Sequence, residues 1–167
     1  MDAYTQIIHR LETRNFMEEQ NIPNAIVRKI VEAGRLSPSA MNRQPWKFKV
    51  ITNQSKLAEL ALIHRHARFV GSAGFAVAVY ISDQKYGLID ATRAISHMQI
   101  AAWLLSPRIG SCFNFGWNEG QVEEIIGPVA GYQLFTIIPF GYPRISNVQG
   151  KKNRKPWNEV VLEDQGS

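Results

Sequence analysis

Nine consecutive residues, Ala73 to Ile81, read Ala-Gly-Phe-Ala-Val-Ala-Val-Tyr-Ile and leave neither side of a strand for water. A strand with one wet face alternates apolar and polar residues, whereas a run that is apolar at every position needs cover on both faces. The run is also far short of the roughly 20 residues that a membrane-crossing helix takes. It therefore commits the chain to a small sheet covered by helices.

The rest of the chain supplies the cover. Tyr4, Ile7, Ile8 and Leu11 recur at helical spacing, which predicts a first helix with one apolar stripe on the core and with Arg10 and Arg14 together on another face. A second helix is predicted from about Asn24 to Ala33, capped by Asn24, facing inward through Ile26, Ile30 and Ala33, and stopped by Gly34. Trp46, Phe48 and Val50 alternate with Lys47 and Lys49 as a half-buried strand, and Ser55 can cap a helix containing Leu57, Leu60 and Ala61. The clearest helix runs from about Leu88 to Leu105, with Leu88, Ala91, Ile95, Met98, Ala102 and Leu105 at intervals of three and four. Pro107 should end it. Its seam suits either an intrachain core or the spine of a dimer. A short helix from Asn118 to Ile126 stops at Gly127-Pro128, and Leu134 to Ile138 is a buried strand before the turn Pro139-Phe140-Gly141-Tyr142-Pro143. This order predicts one α+β or α/β domain over residues 1–167. The stretch from Pro156 to Leu162 carries an aromatic and three aliphatics after polar irregular chain, so it needs a docking surface on its own body or on a partner.

Charge narrows the class of partner. The 167 residues carry 19 basic and 14 acidic side chains, net +5, and Lys151, Lys152, Arg154 and Lys155 supply most of the excess. A compact cationic tail suits a solvated terminus or one small anion better than an extended nucleic-acid footprint. The first residues show no basic-then-apolar leader, and Cys112, the only cysteine, cannot form an intrachain disulfide. A cytoplasmic protein with no membrane partner is the expectation.

Compact chemical signatures are missing: there is no phosphate-binding Walker loop, no dinucleotide glycine fingerprint and no metalloprotease or cysteine-pair metal motif. His64 and His66 lack companions for a metal site, so none is expected. Cys112 reads as packing rather than as a nucleophile, and the four tryptophans are too dispersed to mark a base-stacking platform. More specific are Arg10 and Arg14 near one end and Lys152, Arg154 and Lys155 near the other. These are donors suited to a phosphate monoester, which carries about −1.5 to −2 charge. Ser39, Asn42 and Gln44 place neutral donors and acceptors in one turn, suited to hydroxyls or an amide-like ring edge. Solvent-facing arginines and a merely polar connection are the plainer alternative.

Arg10-Leu-Glu-Thr-Arg14, Ser37-Pro-Ser-Ala-Met-Asn-Arg-Gln-Pro-Trp46, Asp90 at the long helix, Ile109-Gly-Ser-Cys112, Pro139-Phe-Gly-Tyr-Pro143 and Arg154-Lys-Pro156 together resemble the nitroreductase family of flavin enzymes. The landmarks span nearly the whole chain in the family's order, and Pro-Ser-x-x-Asn-x-Gln-Pro-Trp is the most specific. The resemblance implies a nitroreductase-like α+β fold with a central, mainly antiparallel sheet covered by helices. It implies a domain-swapped homodimer with FMN at each subunit interface and residues 151–167 as a C-terminal arm over the neighbour. Arg10 and Arg14 would meet the FMN phosphate and nearby polar atoms, assisted by Arg154, with Lys152 and Lys155 as further candidates. Pro38, Ser39, Ala40, Asn42 and Gln44 would come from the other subunit around the ribityl chain and ring, and the backbone of Gly110 and Ser111 would approach the isoalloxazine. NADH or NADPH would supply hydride, and a small electrophile such as a nitroaromatic or quinone would receive it. No catalytic side chain is assigned, because the flavin carries the chemistry.

Three departures from the family pattern stand out. Leu11-Glu12 replaces the common Arg-Ser, and a carboxylate facing phosphate is repulsive, so Glu12 must point away, pair with Arg14 or another cation, or mark a weakened site. Ser106-Pro107-Arg108-Ile109 replaces a Gly-Leu-Gly approach, which bears on the position of the flavin-facing turn. Only Ser82 to Gly87 separate the middle strand from the long helix, so a substrate pocket is expected to be either more open or completed differently. Two rival functions remain at this level: a non-turnover FMN-binding protein for storage or redox sensing, and nucleic-acid binding through the basic tail.

Overall fold

A computed structural model of the chain describes residues 2–18, 20–82, 85–144 and 152–164. The doubly apolar run forms strand β2, Phe75–Ile81, buried at every position. Its neighbours are β1, Trp46–Ile51, and β4, Gln133–Gly141, and the two-residue β3, Gly110–Ser111, pairs with the end of β4. The order is β1-β2-β4-β3 and every pairing is antiparallel, as expected for the α+β class.

Alternation along β2 explains why the run is apolar throughout. Phe75, Val77, Val79 and Ile81 face a layer made by α2, Asn24–Arg35, and α4, Tyr86–Leu104, meeting Val27, Ile30, Ala91, Ile95, Met98 and Ala102. Ala76, Ala78 and Tyr80 face the opposite layer, made by α3, Gln54–Ile63, and α5, Glu119–Ile126, meeting Leu57, Leu60, Val122 and Ile126. Each large aliphatic sealed in this way contributes roughly 1.5–3 kcal/mol of transfer free energy.

Several local expectations are corrected. Helix α1 covers only Ala3–His9 and buries no residue; Tyr4, Ile7 and Ile8 are exposed and Leu11 lies beyond its end. Arg10 leaves the helix with extended dihedrals, so Arg10 and Arg14 do not share a helix face. The indole N–H of Trp103 on α4 donates to the Gln6 carbonyl, which ties α1 down by its backbone rather than by an apolar stripe. Pro23 rather than Asn24 occupies the N-cap of α2, which buries Val27 and Ile30 and runs through Gly34 to Arg35. Gly34 is a contact and not a stop, because a Cβ there would lie 2.7 Å from Met98 Cγ. Asn53, not Ser55, caps α3, accepting from the Lys56 N–H. In α4 the seam from Ala91 to Ala102 is buried as expected, whereas Leu88 is exposed and Leu105 caps the end. The final strand continues through Pro139 and Phe140 to Gly141, so the turn begins later than the prolines suggest. Helix α5 opens on Asn118 and ends at Gly127 as expected.

Candidate functional site

The long helix α4 carries two groups of the sequence-derived candidates, nine residues apart. At its start, buried Asp90 accepts the Ala40 N–H through Oδ2 at 3.0 Å and pins the 37–45 loop. Within that loop Ser39 Oγ accepts the Gln44 N–H at 2.9 Å, and Gln44 Nε2 donates to the carbonyl and side-chain oxygens of Asn42. Met41, Asn42 and Gln44 hold φ of 52°, 55° and 49°, the left-handed region that non-glycine residues avoid. Such conformations cost on the order of 1 kcal/mol each and persist where the surroundings over-determine them. Pro38, Ala40, Asn42 and Gln44 stand exposed and Ser39 half-exposed, which leaves their polar edges accessible.

Further along α4, Gln99 marks the second group. Its amide donates to both Glu12 oxygens at 3.5 and 3.4 Å. Glu12 Oε1 also receives Arg10 Nη2 at 2.7 Å, and Oε2 receives the Phe113 N–H at 2.7 Å. The Thr13 N–H donates to the Ser111 carbonyl at 2.8 Å, and Gly110 lies so close to Thr13 that a Cβ would sit 2.4 Å from its Oγ1. Thr13 is thus packed directly against β3. The altered helix exit also ends in a held position: the Ile109 N–H returns to the Ala102 carbonyl and Ile109 is buried.

Cations gather beside this group. Burial first, and then the positive charges of Arg154 and Arg10, hold the Lys152 ammonium below its ordinary pKa. The charges of Arg154 and Arg10 are thus felt at half-buried Lys152, while Arg154 and Lys155 are both exposed. Arg10 Nη1 is buried and meets no hydrogen-bond partner among the described residues. Arg14 and Glu12 both act on Cys112, where the positive charge of Arg14 opposes the upward push on the thiol. That push, from burial and then from the Glu12 carboxylate, takes Cys112 up to about 12 and keeps it a neutral, packed thiol. His64 is likewise packing: its ring meets the Phe115 carbonyl through Nε2 and the His66 N–H through Nδ1. Lys151 lies outside the described residues.

The two groups are not assembled on one another within the chain. Nine residues of α4 separate their anchors, about 13 Å along the helix axis. Asp90 appeared in the sequence only as a landmark, and Thr13 and the Phe113 N–H carried no signal. Gln99 did carry one: it is a polar residue four positions after buried Ile95, on the inward side of an apolar seam.

Residues 7–69, which hold Arg10, Arg14 and the 37–45 loop, match the Nitroreductase family model. A Methanothermobacter thermautotrophicus protein with the provisional name NADH dehydrogenase/NAD(P)H nitroreductase is 26% identical over 152 residues, covering 86% of this chain and 78% of that one. The nitroreductase family protein of Streptococcus pneumoniae superposes with a TM-score of 0.83 at 21% identity, over 97% of this chain and 100% of that one. A protein from Exiguobacterium sibiricum, provisionally described as a nitroreductase and solved in complex with FMN, superposes with a TM-score of 0.83 at 18% identity, over 98% and 97%. The chain has the nitroreductase fold, and the family recognised in its motifs is the one these comparisons return.

Proposed function

We propose that the protein is an FMN-dependent oxidoreductase that takes hydride from NADH or NADPH and reduces a small electrophile such as a nitroaromatic or a quinone. The observation that carries this reading is Arg10 Nη1, a buried guanidinium donor without a partner among the described residues, whose charge is felt at Lys152 together with that of Arg154. A buried donor left unsatisfied costs about 1–3 kcal/mol, and a phosphate oxygen is the acceptor whose charge suits the cluster. The same clustering supports one small anion over a nucleic-acid backbone as the partner of the basic tail.

FMN supplies hydride acceptance and donation when bound. Arg10, Lys152 and Arg154 would hold its phosphate, with Arg14 and Lys155 as further cations. The backbone of Gly110 and Ser111 would border the ring, and Pro38, Ser39, Ala40, Asn42 and Gln44 would approach from a second subunit. The separation of the two groups along α4 favours this division between chains. The flavin carries the electrons, so no side chain of this chain needs to serve as acid or base.

A homodimer gives the remaining apolar surface its cover. Trp157 and Leu162, around the short helix α6, Trp157–Val160, are 69% and 94% exposed. An open groove of about 730 Å³ runs between α2 and the edge strand β1, with Val31, Trp46, Phe48 and Val50 lining it and Arg28 and Arg35 on its rim. The tail carries Glu159, Glu163 and Asp164 among its apolar residues, and its acidic side chains suit Arg28 and Lys47 of that groove, where Arg35 is already paired with Glu32. Residues 1–167 then act as one domain, with 151–167 as an arm on the partner. Among the described residues no helix is long and apolar enough to cross a membrane, which accords with a cytoplasmic setting.

Binding of FMN and of riboflavin, which lacks the phosphate, tests the cradle. The wild type is expected to bind FMN at least about tenfold more tightly, and Arg10→Ala to lose most of that preference while still binding riboflavin. Equal affinities in the wild type would contradict the reading.

A further inference from the structure

We infer that Glu12 is a positioning residue that couples the phosphate cradle to the flavin-facing turn, an inference that rests on the reading above. A carboxylate two residues after the first arginine looks like a fault in an anion site. The geometry gives it a different part. One oxygen, Oε1, takes Arg10 Nη2, and the other, Oε2, takes the N–H of Phe113, two residues past Ser111. Gln99 donates to both oxygens from α4 and fixes the plane of the carboxylate. Held by Nη2, the guanidinium fork has its direction set, and Nη1 is the nitrogen left buried and unpartnered. Glu12 thereby determines which edge of Arg10 faces the anion. It also bolts the Gly110-Ser111 turn to the same arginine, alongside the backbone bond from Thr13 to Ser111.

Charge balance agrees with this role. Glu12 offsets one of the positive charges of Arg10, Lys152 and Arg154 and leaves the group cationic, as a phosphate that carries about −1.5 to −2 requires. Only a carboxylate can do both tasks, because it accepts at both oxygens whereas an amide accepts at one. Aspartate keeps the charge, but it is one methylene shorter and cannot span the two partners.

The test uses the full chain, with FMN and riboflavin as probes and thermal melting as the check on folding. Glu12→Asp is expected to lower the preference for FMN over riboflavin about tenfold, the loss of one well-directed charge-assisted hydrogen bond, while riboflavin affinity and melting change little. Glu12→Gln is expected to lower it less, since one link survives and one negative charge has gone. A raised preference in Glu12→Gln, or an unchanged one in Glu12→Asp, overturns the inference, because Glu12 then acts as a simple repulsive charge or not at all. Equal weakening of both flavins, or loss of fold in both variants, overturns it in favour of a purely structural role. A wild type that binds no flavin removes the functional reading itself, a result distinct from wild-type preference with indifferent variants.

Discussion

Arg10 and Cys112 show how one neighbour sets two residues. Glu12 holds one edge of the Arg10 guanidinium and, after burial, is the next largest influence raising the Cys112 thiol to about 12. In the unfolded chain that thiol ionises near 9.0, so between pH 9 and 12 the folded protein retains a proton that the unfolded chain gives up. Stability from this source is fully present below pH 9 and is lost as pH rises, approaching about 1.4 kcal/mol per pH unit. Urea unfolding from pH 8 to 10.5 should show a shallower alkaline decline in Cys112→Ala than in the wild type. Identical slopes would mean that the thiol ionises no differently in the folded protein. The sequence made Cys112 legible as packing and flagged Glu12 as an anomaly, but it could not show the donors around Glu12, which come from residues 87 and 101 positions away.

Two glycines separate contact from conformation at the level of elements. Gly34 lets α2 approach α4, with Met98 as the nearest group, and Gly110 lets β3 lie against Thr13. Met98 is unbranched and can shift, and alanine in a helix interior is favoured over glycine by about 1 kcal/mol, so Gly34→Ala should change stability by less than about 1 kcal/mol. Thr13 is fixed by its backbone bond to Ser111, so Gly110→Ala should cost about 1–3 kcal/mol through overpacking and should also weaken flavin binding. Urea midpoints of the two variants provide the comparison, and a Gly110→Ala as stable as the wild type would contradict the close packing. Patterns within one element were readable in the sequence, as β2, the α4 seam and α5 show. Signals whose cause lies on another element were not. Gly34 resembled a helix stop because its partner is 64 residues away, and Pro139 resembled the end of a strand. It is tolerated inside β4 because the β3 ladder pairs only Phe140 and Gly141, so its missing N–H leaves no bond unmade on that side.

The whole molecule is a three-layer body with two groups of candidate residues along one helix and an apolar tail turned outward. The motif string was enough to point to the family whose model matches residues 7–69 and to nominate residues in both groups. Their arrangement as a cation cradle beside β3 and a pinned loop at the start of α4 depends on tertiary contacts that no local pattern encodes. An oxidoreductase built this way must do more than hold a flavin: hydride from a nicotinamide must reach it. The most direct measurement is the visible absorption spectrum of the FMN-reconstituted protein, followed without oxygen as NADH and then NADPH are added. Rapid bleaching of the flavin bands by at least one of them, with recovery when a quinone or nitroaromatic is supplied, is the predicted result; bound FMN that neither nucleotide bleaches would contradict the account.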